Sequence, residues 1–172
     1  PVPDFNIDLP PFSCSGSLTK FNDLTPVLTD SNLESWLWNF NDQGAVSTNQ
    51  NPTHTYASSG EYEVTLTVNS DQGCTASTNK IITIAESPKP IIENTTACAA
   101  VGITLSESSG INASSWQWQI GNQYYFTANP DHVFEEPGTH LISLVMTAGN
   151  GCVGSTNQQV FVPQPLVLDF TS

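Results

Sequence analysis

Gly60-Glu61-Tyr62-Glu63-Val64-Thr65-Leu66-Thr67-Val68 is the stretch whose reading decides the fold. Tyr62, Val64, Leu66 and Val68 alternate strictly with Glu61, Glu63, Thr65 and Thr67. Successive side chains of an extended chain point to opposite faces, so this alternation predicts a strand with one buried face. Upstream, Trp36, Trp38 and Phe40 share a face in the same way. Downstream, Gly73-Cys74 makes a turn before the apolar run Lys80-Ile81-Ile82-Thr83-Ile84. Strands at roughly ten-residue spacing, with a Trp on a central strand and a Gly-x-Tyr opening to a late one, predict a small antiparallel sandwich.

The same pattern then occurs a second time. Ser35-Trp36-Leu37-Trp38-Asn39-Phe40 returns as Ser115-Trp116-Gln117-Trp118-Gln119-Ile120, and Asn51-Pro52-Thr53-His54-Thr55-Tyr56 as Asn129-Pro130-Asp131-His132-Val133-Phe134. Gly60 matches Gly138, and Gly73-Cys74 matches Gly151-Cys152. Self-similarity at a fixed period means repeated modules. The Pro-containing connector Ala85-Glu86-Ser87-Pro88-Lys89-Pro90 marks the boundary, which places one module at residues 1–86 and the next at 87–163. Residues 164–172 then read as a linker or the start of a further module, because Leu166-Val167-Leu168-Asp169-Phe170 echoes Val2-Pro3-Asp4-Phe5.

Composition narrows the function. Sixteen acidic residues against three lysines give a net charge of −13. Such a balance argues against nucleic-acid binding, which needs clustered basic side chains, and against docking on an anionic membrane. No apolar run reaches the roughly 18 to 20 residues of a membrane helix, so membrane insertion is not expected. With 38% hydrophobic and only 11% charged residues, the chain also lacks the composition of a disordered polymer.

Trp38-Asn39-Phe40-Asn41-Asp42-Gln43-Gly44, Asn51-Pro52-Thr53-His54-Thr55-Tyr56 and Gly60–Val68 together resemble the polycystic kidney disease (PKD) domain. That family carries a Trp-Asp-Phe-Gly-Asp-Gly turn, an Asn-Pro-x-His-x-Tyr segment and a Gly-x-Tyr-x-Val-x-Leu-x-Val strand. The second module departs further: its turn has lost the acidic residues, Phe134 stands for the corner Tyr and His140 for Tyr62. The resemblance implies an all-β fold of two tandem immunoglobulin-like antiparallel β-sandwiches. It extends to secreted and surface proteins of Bacteroidetes-type bacteria, including gliding-motility adhesins exported by type IX secretion. It implies a non-catalytic, extracellular structural or adhesive segment of a repeat array on the cell surface. The alternative is an accessory spacer, or a carbohydrate- or protein-binding region, of a secreted hydrolase or protease. Expected partners are neighbouring modules of the same chain and a surface polysaccharide or another cell-surface protein.

Four cysteines allow three pairings. The pairs Cys14–Cys74 and Cys98–Cys152 are expected, since each closes a loop inside its own repeat, with free buried thiols as the alternative. Trp36 and Trp116 are the candidates for stacking on a ligand, against core packing of all four tryptophans. Leu141 and Val145 stand where the first module has Glu63 and Thr67, and so are candidates for an interaction patch. No catalytic residue is assigned: His54, His132 and His140 stand singly, and no Ser or Cys nucleophile with a His and carboxylate partner can be assembled. No cofactor is implied beyond a weak calcium site at Asn39, Asn41 and Asp42, whose competing reading is a plain turn.

Overall fold

The computed structural model describes residues 1–8, 13–27, 32–93 and 95–164. The expected module 164–172 therefore lies, but for Gln164, outside the described residues. The chain divides into two compact units, Pro1–Ser87 and Pro88–Ser172.

The first unit contains β1 (Phe5–Asp8), β2 (Leu18–Asp23), β3 (Leu33–Asn39), β4 (Val46–Ser47), β5 (Thr53–Thr55), β6 (Gly60–Ser70) and β7 (Thr75–Ile84). These make a three-stranded sheet of order β1-β2-β5 and a four-stranded sheet of order β4-β3-β6-β7, all pairs antiparallel. The alternation read in Gly60–Val68 is the alternation of the structure: Val64, Leu66 and Val68 are fully buried, while Glu61 and Glu63 face solvent. Phe5 and Phe21 from the smaller sheet meet Trp38 from the larger, at ring separations of 5.1 and 5.7 Å. Ile82, Ile84, Phe40 and Tyr56 complete this core.

The second unit contains β8 (Ile92–Glu93), β9 (Gly102–Thr104), β10 (Ser106–Glu107), β11 (Ala113–Ile120), β12 (Gln123–Tyr125), β13 (Asp131–Val133), β14 (Gly138–Ala148) and β15 (Val153–Val162). Its four-stranded sheet has the order β12-β11-β14-β15, matching β4-β3-β6-β7 strand for strand. Even the register shift near the start of β3, between Leu33 and Ser35, recurs between Ala113 and Ser115. The opposite sheet is reduced to the pairs β8-β10 and β9-β13. Leu105, between β9 and β10, nonetheless takes the place of Phe21: its N–H donates to the carbonyl of Pro130 at 2.9 Å, as that of Phe21 does to Pro52. Both units are immunoglobulin-like antiparallel β-sandwiches, and the fold class read from the sequence is that of the structure.

One position breaks the equivalence at a cost. Gly16 has φ 82° and its N–H donates to the carbonyl of Tyr56; the matching residue Ala100 has φ 59° and donates to the carbonyl of Phe134. A Cβ is disfavoured in the left-handed region, whereas glycine enters it freely. Ala100→Gly should therefore stabilise the second unit by about 0.5–1 kcal/mol, the smaller figure allowing for the extra freedom of glycine in the unfolded chain. Denaturant unfolding of the wild type and the variant measures this; an unchanged or lowered midpoint contradicts it.

Candidate functional site

The turn that follows β3 holds the residues offered for calcium. Asn41, Gln43 and Gly44 all have positive φ, at 52°, 48° and 83°. The Asn39 carboxamide oxygen accepts the N–H of Asn41 at 2.9 Å, and the Ala45 N–H donates to the Asp42 carbonyl at 2.8 Å. Asp42 points away from this turn and meets Nε2 of His54 at 2.9 Å. The turn and the His54 contact thus engage Asn39 and Asp42, two of the three side chains offered for calcium. Asp4 is held instead by Lys80, and Asp71 by Asn32. Among the described residues no three His, Cys, Asp or Glu side chains gather where they could hold a metal ion.

His54 is the middle of a ring stack. It lies parallel to Phe40 at 4.4 Å and edge-on to Tyr56 at 4.6 Å, and Tyr56 in turn packs on Tyr62 at 4.1 Å. Burial, followed by the charge of Asp42, pushes the Tyr56 hydroxyl far above the usual phenol range. The histidine thus ties the turn after β3 to β5, a structural task.

The second unit builds the same corner from different groups. With no carboxylate in its turn, His132 takes the hydroxyl of Tyr125 at 2.7 Å. His132 stands edge-on to Phe134 at 4.5 Å, and Phe134 meets His140 at 4.7 Å. Nε2 of His140 donates to the Glu136 carbonyl at 2.8 Å. Burial, and next the neighbouring His140, lower the pKa of His132, with Glu135 opposing them, which favours the neutral imidazole. These residues border an open cleft of about 560 Å³ whose lining includes Glu135 and Glu136 but no Ser, Thr, Cys or Lys.

Both tryptophans proposed for ligand stacking are half-buried. Trp36 is half-buried against the first core and its indole N–H donates to Asp23 at 2.7 Å; Trp116 is half-buried against the second core. Sequence reasoning passed over Asp23, which also accepts from the Thr25 N–H and the Gln50 amide. Burial alone would raise the pKa of this carboxyl, yet the hydrogen bonds from Thr25, Trp36 and Gln50 outweigh it and hold the carboxyl low. Leu141 and Val145 both lie on the outward side of β14, 54% and 37% exposed.

The cysteine pairing needs correction. Cys74 and Cys98 are free and exposed, whereas Cys14 and Cys152 are disulfide-bonded, so neither Cys14–Cys74 nor Cys98–Cys152 forms. Strand length is the reason. Cys14 bridges to Ala85, just past the end of β7, while Cys74 precedes its start. Ten residues at about 3.3 Å each separate the two ends by roughly 30 Å, against the 4.4–6.8 Å between Cα atoms that a disulfide allows. Cys98 likewise sits in the turn tied to Phe134, beside the His140–Val160 end of the sheet, and Cys152 at the far end of β15.

Each unit is thus an immunoglobulin-like sandwich whose corner histidine is held by a neighbouring side chain. Residues 1–85 match the family model described as PKD domain. A stretch of 59 residues is 44% identical to a microbial collagenase of Vibrio alginolyticus, covering 33% of this chain and 7% of that protein. Another of 55 residues is 42% identical to collagenase ColA of Bacillus cereus, covering 32% and 6%. The chain thus spans less than a tenth of the length of these curated relatives. Among solved structures, the PKD1 domain of the Vibrio cholerae metalloprotease PrtV is 30% identical over 49% of this chain and 96% of that domain, with a TM-score of 0.43. The PKD1 domain of Vibrio anguillarum Epp is 27% identical over 50% and 96%, with a TM-score of 0.41.

The thiols give a direct check. Alkylation of the native, unreduced protein should label Cys74 and Cys98 and leave Cys14 and Cys152 unlabelled until reductant is added. Peptide mapping that recovered Cys14–Cys74 or Cys98–Cys152 would contradict the structure.

Proposed function

We propose that this chain is a non-catalytic accessory region of an extracellular bacterial protein, one that spaces neighbouring domains and presents surfaces for contact. The observation that carries this reading is what the duplication keeps. The Trp, the corner histidine, the ring set edge-on to it and the turn glycines recur in both units, and each has a packing or hydrogen-bonding task. The groups that differ between units, Asp42 against Tyr125 as the histidine's partner, do not preserve any acid–base pair. A catalytic duplication would keep its chemistry; this one keeps its scaffold.

The similarity of short stretches to segments of bacterial collagenases supports placement in a secreted protein and favours the accessory reading over the adhesin array. The disulfide-bonded state of Cys14 and Cys152 supports an oxidising compartment outside the cytoplasm. The purified chain is expected to leave gelatin, casein and soluble polysaccharides uncut during prolonged incubation. Turnover that co-purifies with the chain and is lost in His54→Ala or His132→Ala would overturn the proposal.

A further inference from the structure

The four-stranded sheets of the two units face outward with opposite character. In the first unit Glu34, Glu61 and Glu63 lie on β3 and β6. The equivalent residues of the second are Ser114, Thr139 and Leu141, all neutral. No Asp, Glu, Lys or Arg occurs anywhere on β11, β12, β14 or β15, in a chain of net charge −13. The acidic residues of the described second unit, Glu93, Glu107, Asp131, Glu135 and Glu136, lie on the opposite strands or in the loop before β14.

Register lays out what replaces the charges. Tyr124, Gln119, Ser143 and Asn157 form one row across all four strands. Leu141 and Gln159 form the row on one side of it, and Gln117, Val145 and Ser155 the row on the other. Phe161, opposite Thr139, closes one corner. Tyr124 is 51% exposed and Phe161 68%. From the spacing of strands and the rise per residue, these two rings stand roughly 20 Å apart.

We propose that this outer face binds a neutral polysaccharide, a role that goes beyond the spacing function and rests on this face alone. Primary amides each offer donors and an acceptor in one plane, matching the paired hydroxyls of a sugar ring. Exposed aromatic rings supply apolar area at little entropic cost, and sugar C–H faces are apolar. The apolar residues here are interleaved with amides and do not merge into the continuous apolar centre of a protein interface. The lack of charge matters equally. Polyuronates and other anionic glycans are repelled by the chain as a whole, and a cationic ligand finds no carboxylate on this face. The separation of Tyr124 from Phe161 suits an extended oligosaccharide, not a single sugar.

Affinity gel electrophoresis of the whole chain against β-glucan, xylan, galactomannan and amylose, with alginate as the anionic control, tests this. At least one neutral polymer should retard the chain, and alginate should not. Tyr124→Ala with Phe161→Ala should weaken retardation by about tenfold or more, as expected for loss of the aromatic anchors. Gln119→Ala should weaken it as well, and Ile81→Ala in the first unit should leave it unchanged. All these positions are exposed, so thermal melts are expected to match the wild type. No retardation by any neutral polymer overturns the proposal, as does retardation that survives the double substitution. Equal retardation by alginate, or self-association of the chain that the double substitution abolishes, would also overturn it. None of these outcomes bears on hydrolysis, so the accessory reading stands or falls separately.

Discussion

Each sandwich depends on one buried indole that must find a hydrogen-bond acceptor. Trp38 and Trp118 are completely buried, and an unpaired N–H there would cost about 1–3 kcal/mol. Trp38 donates to the carbonyl of Asn49 at 2.9 Å and Trp118 to that of Thr127 at 3.1 Å. Both acceptors lie in the segment that leaves the large sheet and returns to the small one. The ring therefore does two things: its faces and edges fill the space between sheets, and its N–H fastens the chain where it crosses from one sheet to the other. The corner histidine, a few residues further on, can reach its partner because that crossing segment is fastened.

Much of this was legible in the sequence because it follows from local periodicity. A two-residue alternation reports a half-buried strand directly, and the recurrence of Ser-Trp-x-Trp and Asn-Pro-x-His-x-aromatic reports a second copy of the same sandwich. The cysteine pairing was not legible. Sequence separation says which loops can close, but the two cysteines of one module lie at opposite ends of a ten-residue strand, and only the fold reveals that distance. The tryptophans before the core pair were read as potential platforms because alternation assigns them a face without saying how much of it a neighbour covers. Trp36 is claimed by Asp23, thirteen residues away in another strand, and no local pattern carries that pairing. Substitution of Asp42 by Tyr125 as the histidine's partner was hidden for the same reason: the turn lost its acid, and the replacement came from the next strand.

The two units share a scaffold and differ in what they show to solvent. Core positions follow the duplication closely, as Trp38 and Trp118, Val64 and Ile142, Leu66 and Leu144, Val68 and Met146 illustrate. Outward positions on the same strands have diverged from charged to neutral. Packing tolerates only changes that conserve volume, whereas an exposed strand face tolerates almost any residue and so is free to acquire a contact role.

Solvent exchange of the four indole N–H groups, followed by proton–nitrogen NMR, tests the central role of the buried indole most directly. The account predicts that Trp38 and Trp118 exchange only when their sandwich opens, and so far more slowly than the half-buried Trp36 and Trp116. Exchange of Trp38 or Trp118 as fast as that of the other two would contradict it.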